Sequence, residues 1–332
     1  MLNLKSQKRI FKTLLIFFIL GFFSISCANL GLNNQNINIK LDPEFPSANQ
    51  SVTASTEIYI TDMNRAIISW FVDGVLKLEG VGKKDFSFRT KDFGEVTNLT
   101  IQINSSDVGQ VSKTFKIIPA DLDLIWEADT FTPPFYKGKA LNTHQAVVKI
   151  VAFPNFIKSN GVKINSEELI YTWKNDGKIS SKDSGYGKSS FSFIGPELFR
   201  ENIISVEVET LDGTIRSKKN ILIKNYNPEI IFYEEDPLLG LLNNKNLEFF
   251  PLFNNYSEEV KIIAYPLFFS MYNKEDIQYD WFVSNDPAQG FENKITIRRE
   301  IETTGSFPIT LKIQDLKKFL LFTENSFNLI FE

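Results

Sequence analysis

Ile68-Ser69-Trp70-Phe71-Val72-Asp73-Gly74 is the stretch on which the reading turns, because it returns twice further along the chain. Its second copy is Ile170-Tyr171-Thr172-Trp173-Lys174-Asn175-Asp176-Gly177, and a third, more worn, is Tyr279-Asp280-Trp281-Phe282-Val283-Ser284-Asn285. The tryptophans stand 103 and 108 residues apart, a spacing of one small domain, roughly 100 residues. Period-two apolar runs follow each of them: Phe86 and Phe88, Phe191 and Phe193, Ile295 and Ile297, then Leu99, Ile101 and Ile103, Ile204, Val206 and Val208, and Ile309, Leu311 and Ile313. Such alternation is what a strand with one face on a core requires. Asp73-Gly74 and Asp176-Gly177 are hairpin-turn dipeptides, since glycine tolerates the positive φ these turns need.

The second and third copies share more. Val148-Lys149-Ile150-Val151-Ala152-Phe153-Pro154 matches Val260-Lys261-Ile262-Ile263-Ala264-Tyr265-Pro266, and upstream Ile125-Trp126-Glu127-Ala128-Asp129 resembles Phe232-Tyr233-Glu234-Glu235-Asp236. A long loop follows each, ending in Lys139-Ala140-Leu141 and in Lys245-Asn246-Leu247. A repeat of this length marks a modular chain. The expected partition is a segment 1–26, a polar tether 27–33, and modules at 34–119, 120–225 and 226–332, punctuated by Pro119 and by Asn225-Tyr226-Asn227-Pro228. No window of a dozen residues sustains a helical period, so the fold class is all-β.

A Trp followed by Asp-Gly at the head of a hairpin, with alternating strands downstream, resembles the third-strand region of immunoglobulin-like sandwiches. The Tyr-x-Trp opening and the Ile204-Ser205-Val206-Glu207-Val208 and Ile309-Thr310-Leu311-Lys312-Ile313 strands also resemble the polycystic-kidney-disease (PKD) type of bacterial surface module. The resemblance implies three tandem antiparallel β-sandwiches. Trp70, Trp173 and Trp281 would then be structural, each filling the space between two sheets.

Lys5, Lys8, Arg9 and Lys12 precede an uncharged apolar run from Leu14 to Phe23. That run is well short of the roughly 20 residues of a spanning helix, which reads as a signal peptide. Ser24-Ile25-Ser26-Cys27 then resembles the lipobox of bacterial lipoproteins, which implies that Cys27 is lipidated and anchors the chain to a membrane. The plainer alternative is an ordinary secretory signal, or an uncleaved anchor, with Cys27 a bystander. Cys27 is the only cysteine, so the modules must hold by core burial without disulfides. Removing residues 1–26 takes four basic groups from a formal charge of −4, leaving −8, and no basic stripe invites nucleic acid.

Catalytic chemistry finds little material. The only histidine, His144, reads as a solvated residue at a strand edge, and no catalytic residue or cofactor is expected. Clustered zinc ligands are lacking. Gly185-Tyr186-Gly187 lacks the spacing of a phosphate loop and reads as a hairpin tip. Glu127, Asp129, Glu234, Glu235 and Asp236 near the module starts are either a solvated acidic patch or weak Ca²⁺ ligands, because a hard cation takes several oxygens. Two apolar stretches fall where polar loops are expected: Thr132-Pro133-Pro134-Phe135-Tyr136, and Leu238-Leu239-Gly240-Leu241-Leu242 extended by Phe249, Phe250, Leu252 and Phe253. They pack on a neighbouring module or over a sheet end, or they form a partner-binding patch. The expected role is a non-catalytic lipoprotein of the cell envelope, facing the periplasm or the exterior. It would act as a spacer with adhesive loops for protein or glycan, or as a structural subunit of an envelope or pilus-like assembly.

Overall fold

A computed structural model describes residues 37–58, 61–195, 200–254, 259–270, 274–300, 303–318 and 320–331. The signal, lipobox and tether expectations, Cys27 included, lie outside the described residues. Two single 3₁₀ turns, Ser166–Glu168 and Lys274–Asp276, are the helical content of what is described; all else is strand and loop.

The strands assort into three successive sets. The first holds β1 (Asn38–Asp42), β2 (Ser51–Glu57), β3 (Ile67–Val72), β4 (Val75–Val81), β5 (Asp85–Arg89), β6 (Thr97–Ser105) and β7 (Gly109–Ile117). The second holds β8 (Asp121–Ala128), β9 (Val147–Asn155), β10 (Ile170–Asn175), β11 (Lys178–Ile179), β12 (Gly185–Tyr186), β13 (Ser190–Ile194), β14 (Asn202–Glu209) and β15 (Arg216–Ile223). The third holds β16 (Glu229–Asp236), β17 (Gly240–Leu241), β18 (Leu252–Asn254), β19 (Glu259–Leu267), β20 (Ile277–Val283), β21 (Asp286–Ala288), β22 (Lys294–Arg298), β23 (Gly305–Asp315) and β24 (Phe322–Phe331).

Each set makes two sheets with one strand order. Sheet β1–β2–β5 goes with β4–β3–β6–β7, sheet β8–β9–β13 with β11–β10–β14–β15, and sheet β16–β19–β22 with β21–β20–β23–β24. This is the immunoglobulin-like arrangement of antiparallel sheets. The three additions are local. β12 pairs along β10, so Gly185-Tyr186 is a short edge strand and not a hairpin tip. β17 folds back on the end of β16. β18 pairs parallel with β24, Leu252 opposite Leu329, because the long loop after β16 crosses from one sheet to the other.

The tryptophans stand on β3, β10 and β20, and all three are buried. Each indole N–H donates at 2.9 Å to a backbone carbonyl, of Lys83, Lys188 and Glu292 respectively. In every case that carbonyl lies two residues ahead of the strand that follows in the opposite sheet, β5, β13 or β22. The bond satisfies the one polar atom of a large buried ring and pins the crossing between sheets. Trp70 stacks on Phe86 at 5.7 Å, and Trp173 on Phe191 at 5.5 Å. At the matching place in the third set stands Ile295, and the aromatic bulk comes from elsewhere: Phe232 on β16 meets Trp281 at 6.0 Å and Phe327 on β24 at 4.9 Å. The cores thus exchange volume between strands while remaining filled. The backbone of Gly290 lies so close to Trp281 that a Cβ there would stand 2.2 Å from the indole ring.

Two-residue turns close all three Trp hairpins. Val72 pairs with Val75, Asn175 with Lys178, and Val283 with Asp286. The turn residues take φ of 50° and 79° at Asp73-Gly74, 47° and 79° at Asp176-Gly177, and 51° and 72° at Ser284-Asn285. Positive φ at both positions is the twist-matched hairpin turn.

Contacts divide the chain into two compact units: one of residues up to Asp42 with Val52–Phe88 and Thr97–Lys116, the other of Pro43–Ser51, Arg89–Val96 and Ile117–Glu332. The second unit holds two separate apolar cores, one around Trp173 and one around Trp281.

Candidate contact surface

Strand pairing fixes which residues of the second and third sets are equivalent. Leu124 faces Ala152 across β8–β9, and Phe232 faces Ala264 across β16–β19. Leu124 therefore matches Phe232, Ile125 matches Tyr233, Trp126 matches Glu234, and Glu127 matches Glu235. The sequence alignment of Ile125-Trp126 with Phe232-Tyr233 is corrected by one residue. The correction matters because a one-residue slip in a strand exchanges the core face for the outer face.

On the outer face of β16–β19, Tyr233 and Tyr265 lie 6.0 Å apart. The loop after β8 closes on them. Phe135 meets Tyr233 at 5.5 Å and Tyr265 at 5.3 Å, both edge to face; Phe131 stacks on Tyr265 at 6.3 Å, and Tyr136 meets Phe268 at 5.7 Å. Two backbone bonds clamp the loop: the Phe131 N–H donates to the Phe269 carbonyl and the Phe268 N–H to the Phe131 carbonyl, both at 2.8 Å. Behind them the Thr143 hydroxyl donates to the Phe268 carbonyl at 2.9 Å, and Lys318 Nζ donates to the Gln145 carbonyl and to Ser270 Oγ at 3.2 Å each. His144 lies inside this joint and is buried. The expected solvated edge position is thus corrected: Asn142, Thr143 and His144 connect a loop that is itself a packing surface.

The equivalent loop after β16 behaves otherwise. Asp236 Oδ1 accepts the Leu238 and Leu239 N–H groups at 2.7 Å, making a tight turn that points both leucines outward. Leu238 is 95% exposed and Leu239 76%. Leu241 and Leu242 are half-buried, while Phe249, Phe250 and Phe253 are exposed. Between these segments runs a groove of about 380 Å³ lined by Glu234, Leu242, Lys245, Leu247, Phe250 and Phe253. Burial pushes the Glu234 carboxyl above its ordinary range, the neighbouring Asp236 adds to the effect, and Lys245 opposes it. Its counterpart Trp126 carries Lys139 over its ring.

The acidic candidates are engaged separately. Glu235 pairs with Lys294 at 3.6 Å, Asp236 caps its turn, Glu127 faces Lys149 across the strand pair, and Asp129 begins the loop after β8, its N–H bonded to the Val147 carbonyl. Among the described residues no three His, Cys, Asp or Glu side chains gather as metal ligands. No helix among them is long and apolar enough to cross a membrane.

One surface escaped the sequence reading. The outer face of β8–β9 presents Ile125, 61% exposed, and Phe153, 50% exposed, beside Val151. A groove of about 680 Å³ runs past Phe153, lined by Asp121, Asp123, Val151, Asn155, Lys163 and Ser189. The signal was present in Val148–Pro154, where apolar residues occupy outward as well as inward positions.

No protein-family model matches this chain, and no curated protein sequence does. Among solved structures it aligns with the three N-terminal domains of the bacteriophage RB49 highly immunogenic outer capsid protein, at 10% identity over 90% of this chain and 98% of that one, TM-score 0.26. It also aligns with a Bacteroides ovatus glucan-utilisation protein, SGBP-B, in complex with a mixed-linkage heptasaccharide, at 13% identity over 90% of this chain and 71% of that one, TM-score 0.22. Sidekick-1 immunoglobulin domains 1–5 align at 10% identity over 87% of this chain and 58% of that one, TM-score 0.24. Scores this low add nothing to the strand order and say nothing of a ligand.

Proposed function

We propose that the chain is an exported, non-catalytic binding protein of the cell envelope, anchored through Cys27. In this reading modules 34–119, 120–225 and 226–332 act as a spacer that carries contact surfaces for protein or glycan away from the membrane. The observation that supports it most is the joint between the second and third strand sets. Rings and backbone bonds at Phe131, Phe135, Tyr265 and Phe268 hold two cores as one compact unit, which suits presentation of a fixed surface. Metabolic labelling with palmitate tests the anchor: the wild-type chain takes up label and Cys27→Ala does not. Equal labelling of both would refute it. Affinity capture from envelope extracts and isolated polysaccharides tests the binding role, which fails if the full chain retains neither.

The second reading, a structural subunit of an assembly, is favoured by the exposure of Leu238 and Leu239. Side chains of that size at a turn tip are surface that an assembled protein covers.

A further inference from the structure

The second and third sandwiches each carry both halves of one kind of contact, and among the described residues one plug and one socket of these four halves are joined. The socket is the outer face of the sheet bearing the first two strands of a set; the plug is the apolar loop that follows the first strand. The plug after β8 fills the socket on β16–β19, with Phe135 between Tyr233 and Tyr265. The socket on β8–β9 is open, and Ile125 and Phe153 stand in it where Tyr233 and Tyr265 stand in the filled one. The plug after β16 is open too, with Leu238 and Leu239 almost wholly in solvent.

We propose that the chain associates head to tail with a second copy of itself, the apolar loops between β16 and β18 of one copy seating in the Phe153 groove of the next. Two observations select this occupant. On β16–β19 this sheet face takes the apolar loop that follows the first strand of the preceding set, so joining the open halves repeats a contact the fold already makes once. The groove of about 680 Å³ is open enough for bulky side chains such as Phe250 and Leu239. Plug and socket are different surfaces on one chain, so the contact is heterologous and each addition leaves one free half at either end. This inference does not depend on what the protein binds or on the anchor.

Light scattering of the full chain in mild detergent, over a wide concentration range, tests it. The wild type should rise in mass with concentration. Phe153→Asp, which spoils the socket, and the double variant Leu238→Asp/Leu239→Asp, which spoils the plug, should each stay monomeric with unchanged thermal unfolding. If Phe153→Asp fails to fold, Ile125→Asp tests the same face. Mixed in equal amounts, the two variants should form a species of twice the monomer mass and stop there, because the mixture contains one intact plug and one intact socket. A wild type that is monomeric throughout overturns the proposal. So does association that survives either variant, which would place the contact elsewhere, the N-terminal segment included. A mixture that stays monomeric overturns it as well, as does Phe153-dependent retention on polysaccharide without self-association, which would make the groove a glycan site.

Discussion

Ser284 donates its backbone N–H to the carbonyl of Pro308 at 2.9 Å, and this pair explains why the third hairpin has lost its aspartate. In the first two sets the same bond runs from Asp73 to Asn98 and from Asp176 to Ile203, and the carboxylate completes the exchange by accepting the partner's N–H at 3.0 and 2.9 Å. Pro308 has no N–H to give. An acid at 284 would have nothing to accept there, and serine suffices. Asp73→Ser and Asp176→Ser should each cost about 1–2 kcal/mol in urea unfolding, from the lost charge-assisted bond. Ser284→Asp should gain nothing while Pro308 is in place.

Asp176 also sets a pH dependence. Burial acts to raise its carboxyl, but the Ile203 N–H, Arg200 and Asn202 outweigh that and hold it below the ordinary range. A depressed carboxylate contributes stability that is present above the unfolded value and lost as pH falls through the folded one. The destabilisation of Asp176→Asn should therefore be full at neutral pH and shrink below about pH 4, as thermal unfolding across an acid series would show.

Glu234 runs the other way. Burial and Asp236 raise its carboxyl, so the folded state binds the proton more tightly than the unfolded chain. Its contribution is greatest below the unfolded value and is lost as pH rises through the raised one. Glu234→Gln should unfold at higher temperature than wild type near neutral pH, the two curves converging on acidification. A variant no more stable at neutral pH would refute this.

Trp70→Ala, Trp173→Ala and Trp281→Ala should each cost about 3–5 kcal/mol, the range for removing a large buried ring. The Trp→Phe versions restore most of the bulk but leave the carbonyls of Lys83, Lys188 or Glu292 without the indole donor, for a loss of about 1–3 kcal/mol. Urea midpoints separate the two. A Phe variant as damaging as its Ala counterpart would place the effect in the hydrogen bond and not in packing.

Phe135→Ala removes two edge-to-face contacts, each of about 0.5–1.5 kcal/mol, from the joint while leaving both adjoining cores intact. Backbone amides of Phe131 and Phe268 should exchange faster in deuterated solvent, and amides of β10 and β20 should not change.

The repeat made the architecture legible. Alternation, a large indole at fixed spacing and turn dipeptides are local or periodic signals, and strands with one buried face must show them. The tryptophans could be named as core residues on that basis alone. The register between β8 and β16 could not, because Ile125, Trp126 and their neighbours are apolar on both faces and alternation is blurred; the pairing with Ala152 and Ala264 was needed to align them.

Composition and pattern alone therefore determined an all-β, repeated chain poor in catalytic residue types. Only the folded molecule decided that Phe135 closes on Tyr265, that Leu238 and Leu239 stand in solvent, that His144 is enclosed and that Phe153 lies open. Each of these is the outcome of packing between segments far apart in the chain, where similar apolar loops meet different neighbours, and local alternation and turn signals do not reveal which surface arrives opposite which.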